Sequence, residues 1–321
     1  MTAKRIQVEN ENGLVRARVC LSRGDTARVL IGNEEHKAVV SAPLLAAGRL
    51  PVTGDWVAVR VADASAVIES IEPRQTRITR RAAGRATEEQ VLAANVDTAL
   101  VVCGLDGDFH PRRVERYLAI VHDGGVAPIV VLNKADVCAD VEAACAAIHG
   151  VRVLVVSART GAGFDALHEF LRDGTTAVLL GSSGAGKSSM LNRLLGESRQ
   201  KIGPVRESDD RGRHTTTHRE LVMLPSGAAI IDTPGLREIQ LLVDQAAIDA
   251  VFSEITALAE KCRFRDCSHE GEPGCAVRGT VSSERLESFH KLGREAAGLT
   301  AEQSEKAVKR YGFRAAKRKR Q

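Results

Sequence analysis

Aromatic side chains are scarce in this 321-residue chain: they make up 3% of it, and Trp56 is the single tryptophan. A protein that grips single-stranded nucleic acid mainly by stacking bases needs more of them, so base stacking is poorly supplied here. Long apolar runs are lacking too. None approaches the ~20 residues that span a bilayer, and residues 1–20 have no signal-peptide core. A cytoplasmic protein without a membrane partner is therefore expected. The seven cysteines are odd in number, and Cys20, Cys103, Cys138 and Cys145 stand singly, which excludes a disulfide framework. No internal repeat is present, which excludes a solenoid. What is there, 44% hydrophobic and 27% charged residues, suits two or three ordinary globular domains.

The net charge of +4 is unevenly spread. Residues 309–321 hold seven Lys/Arg and no acid, which leaves 4 − 7 = −3 for the rest. A second acid-free basic run comprises Arg74, Arg77, Arg80, Arg81 and Arg85. Two cationic clusters on a weakly acidic body fit a polyanionic partner, although solvated charge explains either run alone equally well.

Three patterns follow one another along the chain. Short apolar stretches at 14–20, 27–31, 37–42, 56–61 and 66–71, separated by turn residues such as Gly24-Asp25 and Gly32-Asn33, predict a five-stranded OB-type barrel. From about 93 to 239, strands alternate with helices, and 96–102 and 127–132 are continuous apolar runs of the kind buried on both faces of a parallel sheet. Beyond about 241 the spacing predicts helices over 246–261 and 282–297.

The α/β segment carries the chemistry. Residues Gly181, Ser182, Ser183, Gly184, Ala185, Gly186, Lys187 and Ser188 match G-x-x-x-x-G-K-[ST], follow an apolar strand and, from Ser189 on, lead into a helical stretch. Such a loop wraps its backbone N–H groups around phosphates, Lys187 faces phosphate oxygens, and Ser188 is a Mg²⁺ ligand. Asp232-Thr233-Pro234-Gly235 ends another strand, where Asp232 would hold Mg²⁺ through water and the Gly235 N–H would meet a γ-phosphate. Asn133-Lys134-Ala135-Asp136 follows the strand ending at 132. A carboxylate there accepts from guanine N1–H and N2–H₂, whereas adenine would leave it unpaired. Asn133 would bond either loop backbone or the purine N7 edge, Lys134 would cover the base, and Ser157-Ala158 would bring the Ala158 N–H to guanine O6. Cys262, Cys267 and Cys275 cluster around His269, a Cys₃His set suited to one structural Zn²⁺ with no open position.

These motifs run in permuted order, base first and phosphate after. With the barrel-like start and the Cys/His set, that order resembles the RsgA (YjeQ) family of small ribosomal subunit biogenesis GTPases. The resemblance implies an α/β circularly permuted P-loop GTPase domain (93–240), an N-terminal OB-type β-barrel (1–73), a basic linker (74–92) and a C-terminal helical zinc-binding domain with a basic tail (241–321). It also implies GTP with Mg²⁺ as ligands, and the small (30S) ribosomal subunit and its rRNA as partners. Late subunit maturation and low intrinsic, ribosome-stimulated hydrolysis by a monomer are implied with them.

Within the same resemblance, residues 212–217 look like switch I, with Thr215 or Thr216 reaching Mg²⁺ and the γ-phosphate. Leu236 stands where Ras-like proteins place a water-orienting Gln. His214 is then the catalytic candidate, its other reading being a loop residue that holds switch I. A nucleotide-regulated RNA-binding or chaperone module with incidental hydrolysis is the alternative, and Leu236 favours it slightly.

Overall fold

The N-terminal segment is a series of short apolar stretches separated by turns, and a closed barrel buries their inward side chains while leaving no sheet edge unpaired. The computed structural model describes residues 13–62, 65–81, 89–107, 109–196, 219–233 and 243–298. Strands β1 (Val15–Arg23), β2 (Thr26–Ile31), β3 (Glu34–Val40), β4 (Trp56–Ala62) and β5 (Ser65–Ile71) close in the order β1-β2-β3-β5-β4. The β3–β5 pair is parallel and the other pairs are antiparallel. Ala17, Val19, Val29, Val57, Val59 and Ile68 fill the interior, and the short helix α1 (Ala42–Ala46) buries Leu44 against them. Trp56 lies beneath the guanidinium groups of Arg16 and Arg18, 4.0 and 4.6 Å from its ring centroid. The barrel's one aromatic is thus engaged within the protein.

The expected basic linker contains structure of its own. Strands β6 (Arg77–Arg81) and β7 (Glu89–Ala94) form an antiparallel ribbon that buries Ile78, Leu92, Ala93 and Ala94. The arginines masked this pattern because their charges dominate the run, while Ile78 and Thr79, adjacent at a bulge in the pairing, both go inward. Arg74 is likewise not a free surface cation, since it pairs at 2.7 Å with Asp55, which is fully buried.

The central sheet runs β10-β9-β8-β11-β13-β12. Its members are β8 (Thr98–Gly104), β9 (Ala127–Asn133), β10 (Arg152–Val155), β11 (Thr176–Leu180), β12 (Glu220–Met223) and β13 (Ala229–Asp232). All neighbours are parallel except β12, the antiparallel edge. Parallel strands place their carboxyl ends along one edge, so the loops after β8, β9, β10, β11 and β13 all open there.

One face of the sheet carries α4 (Phe164–His168) and α5 (Lys187–Leu195), which pack Phe164, Leu167, Met190 and Leu194 on Leu100, Val102, Val131 and Leu179. The other face carries α2 (Pro111–Asp123), and the short helix α3 (Val141–Ala146) follows β9. Two further helices, α6 (Gln245–Val251) and α7 (Ser253–Ala259), precede a helical stretch over 283–298.

The single helix expected over 246–261 is broken at Phe252, which is fully buried with its ring 5.4 Å from that of Phe289. Ile248, Val251, Phe252 and Leu292 belong to the same core as Leu118, Val121, Val130 and Ile231. The C-terminal helices therefore share the core of the α/β unit. Ion pairs reinforce the seam: Arg285 reaches Glu115 and Glu254 at 2.7 Å each, and Arg116 reaches Glu295 at 2.6 Å. Glu115 also accepts the Ser288 hydroxyl, which leaves neither buried charge unpaired. Among the described residues, no helix is long and apolar enough to cross a membrane.

Candidate nucleotide site and metal centre

At the carboxyl edge of the sheet a cleft of about 980 Å³ is lined by Asn133, Lys134, Asp136 and Ala158 from the base motifs and by Gly186, Ser189 and Arg193 from the end of the phosphate loop and α5. On the phosphate side, Gly181, Gly184 and Gly186 all have positive φ, and Gly186 leads directly into α5. Gly186 is further constrained, because a Cβ there would sit 2.2 Å from Asn133 Nδ2. The first turn of α5 leaves its N–H groups pointing out of the helix, which makes this an anion-receiving end. Lys187 is buried and donates to the Gly181 and Ser182 carbonyls, both at 2.8 Å. Burial lowers its pKa to about 8, against the opposing pull of Asp232. Asp232 closes β13, buried, and the Thr233 hydroxyl donates to Leu179 O at 2.6 Å, tying this loop to the phosphate-loop strand.

On the base side, Asn133 is a three-way junction. Its Nδ2 donates to Ala185 O at 3.0 Å, while its Oδ1 accepts from the Ala158 N–H at 2.9 Å. Of the two roles open to it, the backbone one is what the structure contains. The Ala158 N–H, expected toward guanine O6, is spent on Asn133 in this geometry. Lys134 adopts the left-handed conformation at φ 66° and pairs with Asp106. Asp136 accepts from the Ser157 hydroxyl and, at 2.6 Å, from Arg159 Nε. These two bonds, Ser157 first, hold its carboxyl below the usual range, so it stays an ionised acceptor.

Cys262, Cys267, His269 and Cys275 bring one ligand atom each to within 4.8 Å of one another. His269 Nδ1 lies 3.7 Å from Cys262 Sγ and 3.5 Å from Cys275 Sγ. The Ala276 and Arg278 N–H groups donate to Cys262 Sγ and Cys275 Sγ at 3.3 Å each. That backbone bond from Arg278 brings Cys275 down to about 6, whereas burial, together with the neighbouring sulfurs, pushes Cys267 up to about 11. Adjacent thiols resist joint ionisation, and a bound cation relieves that resistance, so the donor set fits a structural zinc.

Residues 71–242 match the RsgA GTPase family. A small ribosomal subunit biogenesis GTPase RsgA from Opitutus terrae is 46% identical over 313 residues, which covers 91% of this chain and 83% of the relative. The chain belongs to the RsgA GTPase family. Another RsgA, from Xylella fastidiosa (strain 9a5c), is 50% identical over 257 residues, 77% of this chain and 74% of its own. Among solved structures, YjeQ from Thermotoga maritima covers 88% of this chain and 98% of its own with a TM-score of 0.66 at 24% identity. YloQ, described as a circularly permuted GTPase, covers 91% and 98% with a TM-score of 0.64 at 20% identity. At those identities the two likenesses speak to fold alone, and the fold they share is a permuted one.

Three residues of the cleft and its surroundings carry no motif signal. Asp106 fixes Lys134, Arg159 covers Asp136, and Arg193 on α5 touches the loop after β10. A charged residue following a buried strand was the only hint of Asp106, and nothing marked Arg193. The expected switch I residues His214, Thr215 and Thr216, together with Gly235, Leu236 and the basic tail at 309–321, lie outside the described residues.

Proposed function

We propose that this chain binds GTP at the carboxyl edge of its sheet and hydrolyses it during late maturation of the small ribosomal subunit. The observation that carries the reading is the junction at Asn133, which joins base and phosphate loops into one site with Asp136 ionised and oriented. The subunit partner rests on relatives named small ribosomal subunit biogenesis GTPase. In this reading Asp136 accepts from guanine N1–H and N2–H₂, and Lys134 covers the base. The backbone N–H groups of 181–188, Ser183 among them, receive the phosphates together with Lys187, Ser189 and Gly235.

Ser188 and Asp232 offer the hard oxygen donors that suit Mg²⁺, with Thr215 or Thr216 as the switch contribution. The bound ion would neutralise charge on the phosphate oxygens. His214 orients the attacking water in place of the Gln that Leu236 replaces. Turnover is expected to be slow alone and to rise on adding purified small subunits, while His214→Ala keeps its GDP affinity but loses about 10²-fold of the stimulated rate. Equal stimulated rates in the two proteins would remove His214 from the mechanism. A nucleotide-regulated RNA chaperone, the second reading, predicts co-sedimentation with subunits and no stimulation at all.

The cysteine cluster is proposed to hold one Zn²⁺ through Cys262, Cys267, His269 and Cys275. Metal analysis should find one zinc per chain, and Cys275→Ser should lower the thermal midpoint by roughly 5–10 °C, because the cluster orders the segment before the helix docked on α2. A metal-free protein with an unchanged midpoint would refute it.

A further inference from the structure

Arg193 lies on α5, two turns beyond the phosphate lysine, with an exposed side chain that no motif claims. Its guanidinium nevertheless points across the cleft and meets three consecutive carbonyls of the loop after β10. Nη1 donates to Ala158 O at 3.3 Å and lies 3.5 Å from Arg159 O, and Nη2 donates to Thr160 O at 3.0 Å. The group also sits 5.6 Å from the Phe164 ring centroid, which steadies the fork from one face. The loop is shaped to receive it. Gly161 has φ +92°, and a Cβ there would lie 1.9 Å from Arg193 Nη2, so the backbone approaches the guanidinium more closely than any side chain allows.

The same loop prepares the base acceptor. The Thr160 N–H donates to Ser157 Oγ at 3.1 Å, and that hydroxyl in turn donates to Asp136 Oδ1. A continuous chain of contacts therefore runs from the phosphate helix through Arg193 and Thr160 to Ser157 and Asp136. The planar fork suits this task, since its two terminal nitrogens are held apart in a fixed plane and reach carbonyls spread along the loop, whereas a lysine gathers its acceptors around one point.

We infer that Arg193 is a positioning residue for guanine selectivity, a clamp by which the phosphate-binding helix holds the 157–161 loop so that Ser157 keeps Asp136 aimed at the base. This rests on the guanine-site reading above. The clamp makes base recognition depend on the position of α5, so occupancy of the phosphate half sharpens the base half.

The test compares GDP with inosine diphosphate, which lacks the 2-amino donor, by equilibrium binding to the full chain. Wild type is expected to prefer GDP by about tenfold, the worth of one hydrogen bond to a charged acceptor. Arg193→Ala should raise the GDP dissociation constant about tenfold and narrow the GDP-to-inosine-diphosphate ratio about threefold. Gly161→Ala, which displaces the guanidinium from the loop side, should act in the same direction, and the double variant should fall short of the combined single effects.

An unchanged ratio in both single variants, or full additivity in the double, overturns the clamp, because a purely structural residue would weaken both nucleotides alike. Asp136→Asn, measured in parallel, keeps the two ideas apart. If it abolishes the preference while Arg193→Ala leaves it intact, only the clamp fails. If wild type itself shows no preference, the guanine-site reading fails and the clamp falls with it.

Discussion

Asp136→Asn is expected to convert the base site from guanine to xanthine nucleotides, with GTP affinity falling on the order of 10³-fold. The change is isosteric, so the Ser157 hydroxyl can still reach the side-chain oxygen that it now meets in Asp136. What changes is the second atom, from an acceptor to an N–H₂ donor. Guanine presents a donor at C2, so donor would face donor and two buried polar groups would lose their partners. Xanthine carries a carbonyl at C2 and restores the pairing, which makes the swap a test of contact rather than of folding. Arg159 bears on the size of the effect: its Nε donates to the carboxylate at 2.6 Å, and an amide nitrogen cannot accept that bond. Equilibrium titration with fluorescent guanine and xanthine nucleotides reads the outcome. An unchanged preference would place the base elsewhere.

Lys187→Ala is expected to cost triphosphate affinity on the order of 100-fold or more, with hydrolysis falling further because the same positive charge stabilises the negative charge that develops at the phosphates. An ammonium that is only 7% exposed and held by the Gly181 and Ser182 carbonyls has given up most of its water, and its pKa has dropped to about 8. A bound phosphate favours the protonated form and raises that value. Below pH 8 the lysine is already charged and affinity is flat. Above it, binding must take up a proton, so affinity should fall by as much as tenfold per pH unit. Titrations between pH 7 and pH 9 with the wild type should show that slope, and Lys187→Ala should not. The same slope in both proteins would assign the proton to another group.

The motifs were legible because each needs a particular residue type at a fixed spacing from a strand end. The carboxylate of Asp136, the glycines around Lys187 and the thiols around His269 are chemical requirements, and no alternative side chains meet them. The barrel was legible for a related reason, since five short apolar stretches separated by turn residues, with little helical periodicity, read as strands, and closing them removes the sheet's open edges. The ribbon at Arg77–Arg81 and Glu89–Ala94 was hidden by its own charge. The break at Phe252 was hidden because helical spacing continues across it, and the buried ring's contacts with Phe289 and the Arg285 guanidinium arise only in the folded chain.

The sequence by itself set out the base and phosphate motifs, the Cys/His set and their permuted order, since these depend on which atoms are present and how far along the chain they stand. It could not determine what joins them. Asn133 bridging Ala185 and Ala158, Arg193 gripping carbonyls 33 to 35 residues away, and Arg285 pairing with a glutamate 170 residues distant depend on backbone groups and long-range charges that the fold brings together. Every residue offers the same carbonyl, so which one an arginine meets is decided by the path of the chain through space. For the same reason the C-terminal helices read as a separate unit, whereas the structure gives them a core in common with α2. Their apolar faces are plain in the sequence, and only the packing says what covers them.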